Sequence, residues 1–99
     1  MNKSIKPQDI YQIIDNDYYF IDLRDRFQFE KLHLKNFINI PYEDLSNHQL
    51  LHNKPIILIC YSGEKAKEIA ESLSKQNYQA YYIEGGFQAY LNKPHLKYF

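Results

Sequence analysis

Apolar residues in this chain recur with two periods, and the alternation between them outlines the elements. In "KPQDIYQIIDN" the residues Ile10, Ile13 and Ile14 share one helical face. Pro7 suits the first turn there, and Gln8 and Asp9 keep it polar or acidic, so a first helix is predicted. The run "YYFIDL" (18–23) is rich in β-forming residues and ends in charge, the pattern of a buried strand. "RFQFEKL" (26–32) reads as a short helix, and "FINI" (37–40) as a short strand stopped by Pro41. A loose segment, 42–54, leads to "IILI" (56–59), too short and too β-branched for a helix and suited to a central strand. Ala66, Ile69, Ala70 and Leu73 then fall at i, i+3, i+4 and i+7 on one helical face, with Asn77 as its end. "QAYYI" (79–83) is a further strand, and "GGFQAYLN" (85–92) opens a last helix with Phe87, Tyr90 and Leu91 on one side.

Strands alternating with helices at this spacing predict βαβ units and a mostly parallel sheet covered on both faces. No repeat, linker or low-complexity stretch interrupts the pattern, so residues 1–99 are read as a single α/β domain.

Composition narrows the function more than the fold. Twelve basic and twelve acidic side chains give a formal net charge of zero, with no basic block, so neither nucleic acid nor an anionic membrane is an expected partner. No run of about 18 apolar residues is present to span a bilayer. The start "MNKSIKPQD" lacks the apolar core of a signal peptide, and a single cysteine cannot close an intramolecular disulfide. A cytoplasmic location and a monomer are expected. The abundance of Asn, Lys, Ile and Tyr is read as a matter of base composition rather than of function.

That single cysteine, Cys60, stands where "IILI" ends and a helix begins. In open parallel α/β sheets, ligands sit beyond the carboxyl ends of the strands. Backbone N–H groups of residues 61–66 can curl around a sulfur placed there, the helix starting near Glu64 adds its positive end, and Gly63 gives the loop freedom to turn. Such a setting stabilises a thiolate and marks Cys60 as a nucleophile rather than a small buried hydrophobe. Residue types limit the chemistry further. A thioredoxin-like pair needs a second cysteine where Gly63 stands, and no phosphate-binding GxxxxGK[ST] loop is present. Phosphatases of the C-x5-R type need Arg at position 66, which is alanine, and the cation comes one residue earlier, at Lys65. A loop this short suits an anion smaller than a tetrahedral phosphate.

The loop "CYSGEKA" resembles the active-site loop of rhodanese-like domains, C-x-S-G-x-R-[SA], with Lys65 in place of the usual Arg. The resemblance continues in "FIDLRDRFQFEKLHLKNFINIPY" (20–42), through Asp22, Arg24, Phe29, Glu30, His33, Asn39, Ile40 and Pro41, and in "IEGGFQAYLNKP" (83–94), through Gly85, Gly86, Ala89 and Pro94. All three glycines of the chain fall on glycine positions of that family. Leu32, Asn36 and Phe37 replace its Gly, Gly and Ala, and Tyr90 stands where Trp is usual. Asn36 tolerates the left-handed backbone that Gly would adopt.

The resemblance implies a small three-layer domain with a mostly parallel sheet of about five strands. It implies a sulfurtransferase that moves sulfane sulfur from a donor, thiosulfate or a persulfide (a protein persulfide included), to a thiol or cyanide acceptor through a Cys60 persulfide. The terminal sulfur would be held by loop amides of about residues 61–65, with Tyr61, Ser62, Gly63, Glu64 and Lys65 forming the anion-binding loop and no cofactor required. Ser62 would hydrogen-bond either the sulfur or the helix start. Lys65, an ammonium, cannot grip two oxygens side by side as Arg does. Glu64 beside it neutralises the loop and should weaken attraction for the thiosulfate dianion, although acids also simply decorate first turns of helices. Asp22, Arg24, His33, Gly85 and Gly86 are assigned structural support. His48 and His52 have the i, i+4 spacing of helical metal ligands but no third ligand nearby, and no metal is expected. Two alternatives stay open: a catalytically silent rhodanese-like interaction module and, ranked below it, a C-x5-R-type phosphatase.

Overall fold

A computed structural model describes residues 3–91 and Phe99. Asn92 and Pro94, the last part of the closing sequence motif, lie outside these residues. Five strands, β1 (Ser4–Ile5), β2 (Tyr19–Asp22), β3 (Ile38–Asn39), β4 (Ile56–Ile59) and β5 (Ala80–Ile83), form one sheet in the order β1-β5-β4-β2-β3. Every neighbouring pair is parallel. The chain is α/β, as its alternating pattern predicts.

The centre of the sheet is β4, whose four residues are all buried. Its side chains alternate between two layers of core, as the two-residue period of a strand requires. Ile56 and Leu58 join Ile21, Leu23, Ala66, Ala70 and Leu73 on one face, while Ile57 and Ile59 join Ile10, Phe20, Leu34, Phe87 and Tyr90 on the other. Each such aliphatic side chain contributes about 1.5–3 kcal/mol by leaving water. A sequence of uninterrupted apolar residues is the signature of a strand covered on both sides.

Three helices follow strands: α1 (Arg26–Lys31), α2 (Glu64–Lys75) and α3 (Gln88–Leu91). The Asp25 carboxylate caps α1 by accepting the Gln28 N–H at 2.9 Å. Helix α2 buries Ala66, Ala70 and Leu73 on the face read from its spacing.

Four expectations change in detail. The first helix is a six-residue 3-10 segment, Pro7–Gln12, in keeping with β-branched Ile and aromatic Tyr losing rotamer freedom in an α-helix. The segment read as loose, 42–54, contains a second 3-10 turn, Tyr42–Asn47, which buries Leu45. The edge strand β1 was not anticipated. It is two residues long, and its pairing continues through Tyr82 N–H to Lys3 O at 3.0 Å and Glu84 N–H to Ile5 O at 2.8 Å. The last helix begins at Gln88 rather than 85, because Gly85 and Gly86 adopt left-handed φ values of 75° and 68° that no α-helix contains.

Two substitutions relative to the resembling family fit locally. Asn36 takes φ 69° and donates through Nδ2 to Ile14 O at 2.7 Å. Tyr90 is buried, and its hydroxyl donates to Pro7 O at 2.8 Å, tying α3 to the start of the first 3-10 segment.

Candidate active site

Strands β2 and β4 lie side by side with Asp22 opposite Ile59, so the residues following each strand emerge at the same carboxyl edge. Cys60 is the first residue past β4 and is only 6% exposed. Its Sγ accepts the Gly63 N–H at 3.1 Å and the Ala66 N–H at 3.3 Å. The second bond has a simple origin. N–H groups in the first turn of a helix have no intrahelical acceptor, and the N-cap here, Gly63, has no side chain to supply one. The thiol fills that place. Both donors, Gly63 and Ala66, lie within residues 61–66, the span whose N–H groups the sequence places around this sulfur.

The glycines hold this turn in shape. Gly63 has φ 96°, and a Cβ on it would meet Gly85 N at 3.0 Å. A Cβ on Gly86 would lie 2.5 Å from Cys60 O and 2.6 Å from Gly63 N, and closer still to Tyr61 O. That contact permits Phe87 N–H to reach Cys60 O at 2.8 Å and Gln88 N–H to reach Tyr61 O at 3.1 Å. The chain's three glycines thus form one backbone clasp, behind the sulfur rather than in front of it.

Asp22 and Arg24 provide the second support. Both are buried. The Asp22 carboxylate accepts the Arg24 backbone N–H at 2.9 Å, its Nε at 3.1 Å and its Nη2 at 2.9 Å, and Nη2 also donates to Leu32 O at 2.7 Å. The guanidinium carbon lies 3.7 Å from the centroid of the Phe87 ring, and Phe87 is the residue whose N–H holds Cys60 O. Asn39 Nδ2 donates to Asp22 O and Arg24 O, which fixes β3 to the same corner.

In front of the sulfur is a cleft of about 390 Å³. Cys60, Tyr61, Ser62, Glu64, Lys65 and Arg24 line it, together with Leu23, Asp25, Gln28, Tyr42 and Glu43. Of the residues singled out in the sequence, Asp22, Gly63, Gly85 and Gly86 stand behind this surface. His33 stands apart, its Nδ1 2.8 Å from Phe29 O and its ring stacked on Phe29 at 3.8 Å. Ser62 Oγ accepts the Glu64 N–H at 3.5 Å, so of its two expected partners the hydroxyl takes the helix start. Lys65 Nζ lies 4.6 Å from the centroid of the Tyr42 ring, and the Tyr42 hydroxyl donates to Glu68 Oε1 at 2.9 Å. That hydrogen bond to a carboxylate, with the charge of Glu68 behind it, raises the Tyr42 pKa above its ordinary value.

Sequence reasoning missed Asp25, Gln28, Tyr42 and Glu43. The signal available was positional: each follows β2 or β3 at the carboxyl edge, where an α/β sheet builds its site. His48 and His52 do not converge. His52 Nε2 is 3.1 Å from Gln76 O and its ring stacks on Tyr78, and no cluster of three or more His, Cys, Asp or Glu suited to a metal occurs among the described residues. Nor is any helix among them long and apolar enough to cross a membrane.

Comparison with known proteins identifies the family and agrees with the fold. The family model of the rhodanese-like domain matches residues 6–93, and the chain belongs to that family. It is 27% identical over 95 residues to thiosulfate sulfurtransferase GlpE of Haemophilus influenzae (strain PittEE), covering 89% of this chain and 87% of the relative. Among solved structures, a rhodanese-related protein from Thermoplasma volcanium superposes with a TM-score of 0.84 at 28% identity, over 95% of both chains. The reduced CoADR-RHD of Bacillus anthracis superposes with a TM-score of 0.81 at 26% identity, over 90% of this chain but 16% of the other. The chain therefore spans a small part of that larger protein. At the level of the family, the relatives' names support a rhodanese-like sulfurtransferase.

Proposed function

We propose that this rhodanese-like domain transfers sulfane sulfur through a persulfide on Cys60. The observation that carries the reading is the setting of Sγ, on the wall of an open cleft and facing two backbone N–H donors. The Cys60 thiolate attacks the outer sulfur of a donor such as thiosulfate or a persulfide. The new S–S bond forms as the old one breaks, and the leaving group, sulfite or a thiolate, departs with the bonding electron pair. A Cys60 persulfide remains, its negative charge served by preorganised amides that need no reorientation. An acceptor thiolate, or cyanide, then takes the terminal sulfur and restores the Cys60 thiolate. Two displacement steps through one covalent intermediate give ping-pong kinetics. Every step is supplied by the thiol and the loop, and none calls on a metal or organic cofactor.

A silent interaction module would have no use for a thiol held at the N-cap of a helix with the cleft open before it. Intact-mass measurement after incubation with thiosulfate or a persulfide donor tests the proposal. The wild-type protein gains one sulfur, Cys60→Ser gains none, and a wild type that takes up sulfur from no donor would end the transferase reading.

A further inference from the structure

The charges around the cleft are arranged against the most familiar donor. Arg24 faces the cleft, but its guanidinium is answered by the Asp22 carboxylate at 2.9 Å, so it brings no net positive charge. The remaining charged lining is Asp25, Glu43 and Glu64 against Lys65, three carboxylates to one ammonium. Lys65 is drawn to the Tyr42 ring, and the hydroxyl of that ring is bonded to a further carboxylate, Glu68. The sulfur itself is served differently, by neutral N–H groups. The site therefore stabilises one negative charge at Sγ while its rim repels additional negative charge from the approaching molecule.

Resting on the sulfurtransferase reading, we infer that this rim selects donors by charge. It disfavours the thiosulfate dianion and favours a sulfane-sulfur carrier that bears a cationic group close to the transferring sulfur. Asp25, Glu43 and Glu64 are the residues that set the preference, and the cation of the carrier sits among them. The chemistry at sulfur is unchanged: the Cys60 thiolate takes the outer sulfur, and sulfite or a sulfinate leaves with the electron pair of the broken bond.

Three probes share that step and differ in charge. They are thiosulfate, a dianion; ethanethiosulfonate, a monoanion; and aminoethanethiosulfonate, a zwitterion with its ammonium two carbons from the sulfonyl group. Loading of Cys60 is followed by intact mass at low ionic strength, and each rate is divided by the rate of the same probe with a free small thiol, which removes intrinsic reactivity. The normalised rates should rise from thiosulfate to ethanethiosulfonate to aminoethanethiosulfonate, the two ends differing by roughly fivefold or more and converging as salt screens the rim. The double variant Glu43→Gln/Glu64→Gln should lower the ratio of aminoethanethiosulfonate to thiosulfate loading. Equal normalised rates, or a ratio unmoved by the double variant, overturn the inference while leaving the transferase reading intact. Loading by a persulfide donor but by none of the three probes overturns the inference alone, and loading by no donor at all defeats both.

Discussion

Two corners of the molecule meet at the carboxyl edge of the sheet and are built from opposite materials. The loop after β4, with the turn after β5 that clasps it, is made of backbone: N–H groups for the sulfur, three glycines for closeness (Gly63 in the loop, Gly85 and Gly86 in the turn), and exposed side chains around the rim. The corner after β2 is made of side chains: a buried carboxylate and guanidinium that use each other and neighbouring backbone as partners. The difference teaches where each can tolerate change. At the loop, the four exposed side chains can vary at little cost to folding while the glycines cannot. At the other corner, removing a side chain leaves its opposite charge buried and alone.

The largest effect on stability is therefore expected from Asp22→Asn, away from the nucleophile. Arg24 would keep its charge at 7% exposure with no carboxylate beside it. Breaking a buried pair from one side costs about 3–5 kcal/mol. Chemical denaturation measures this directly. Cys60→Ser, by contrast, should abolish sulfur loading and stay within about 1 kcal/mol of wild type, a small change in a buried group that keeps a hydrogen-bond acceptor. A cost below about 1 kcal/mol for Asp22→Asn would show that the pair does not hold the corner together.

Next in size comes a test inside the clasp. Gly85 and Gly86 share left-handed φ values, and only at Gly86 would an added Cβ point into the Cys60 loop. Gly85→Ala adds a Cβ whose nearest contact is the Ala89 Cβ at 3.7 Å, so it carries backbone strain alone, about 1 kcal/mol. Gly86→Ala adds the same strain and drives a methyl group into Cys60 O, Tyr61 O and Gly63 N. About 2–3 kcal/mol is expected, together with slower sulfur loading as the loop is pushed out of place. Equal effects of the two substitutions would mean that the loop is not shaped by the clasp.

The same division explains what could be read from the sequence. The central strands and α2 carry long, regular apolar patterns, so "IILI" and the Ala66, Ile69, Ala70 and Leu73 spacing identify them directly. Cys60 is legible because a strand end, a glycine and a helix start follow one another in the chain. Strand β1 is not, because two residues at a sheet edge show no period. Tyr42 and Glu43 reach the cleft from 17 or 18 positions before Cys60, and only the sheet order that places β2 between β3 and β4 brings them there. The buried pair was legible as a pair of residue types, and the tie through Phe87 to the Cys60 loop was not, because that tie is made across the sheet edge.

The smallest effect probes the seam between the two corners, where Tyr42 meets the loop. Its phenol donates to Glu68, and ionising it would set two anions together, so it titrates above its ordinary value of 10.0. The sign follows from linkage. A raised pKa in the folded protein means that folding favours the protonated phenol, so the stabilisation is fully present below pH 10.0 and declines as pH rises through the folded value. Tyr42→Phe keeps the ring under Lys65 and removes the hydroxyl. Wild type should be slightly more stable than this variant at neutral pH, and the gap should close as the solution becomes strongly alkaline. Paired denaturation curves from neutral to alkaline pH measure it, and a gap that stays constant would mean that the Tyr42–Glu68 bond does not form in solution. In that case Lys65 would not be drawn toward Glu68 through the ring of Tyr42, and the rim would lose the contact that holds its one cation aside.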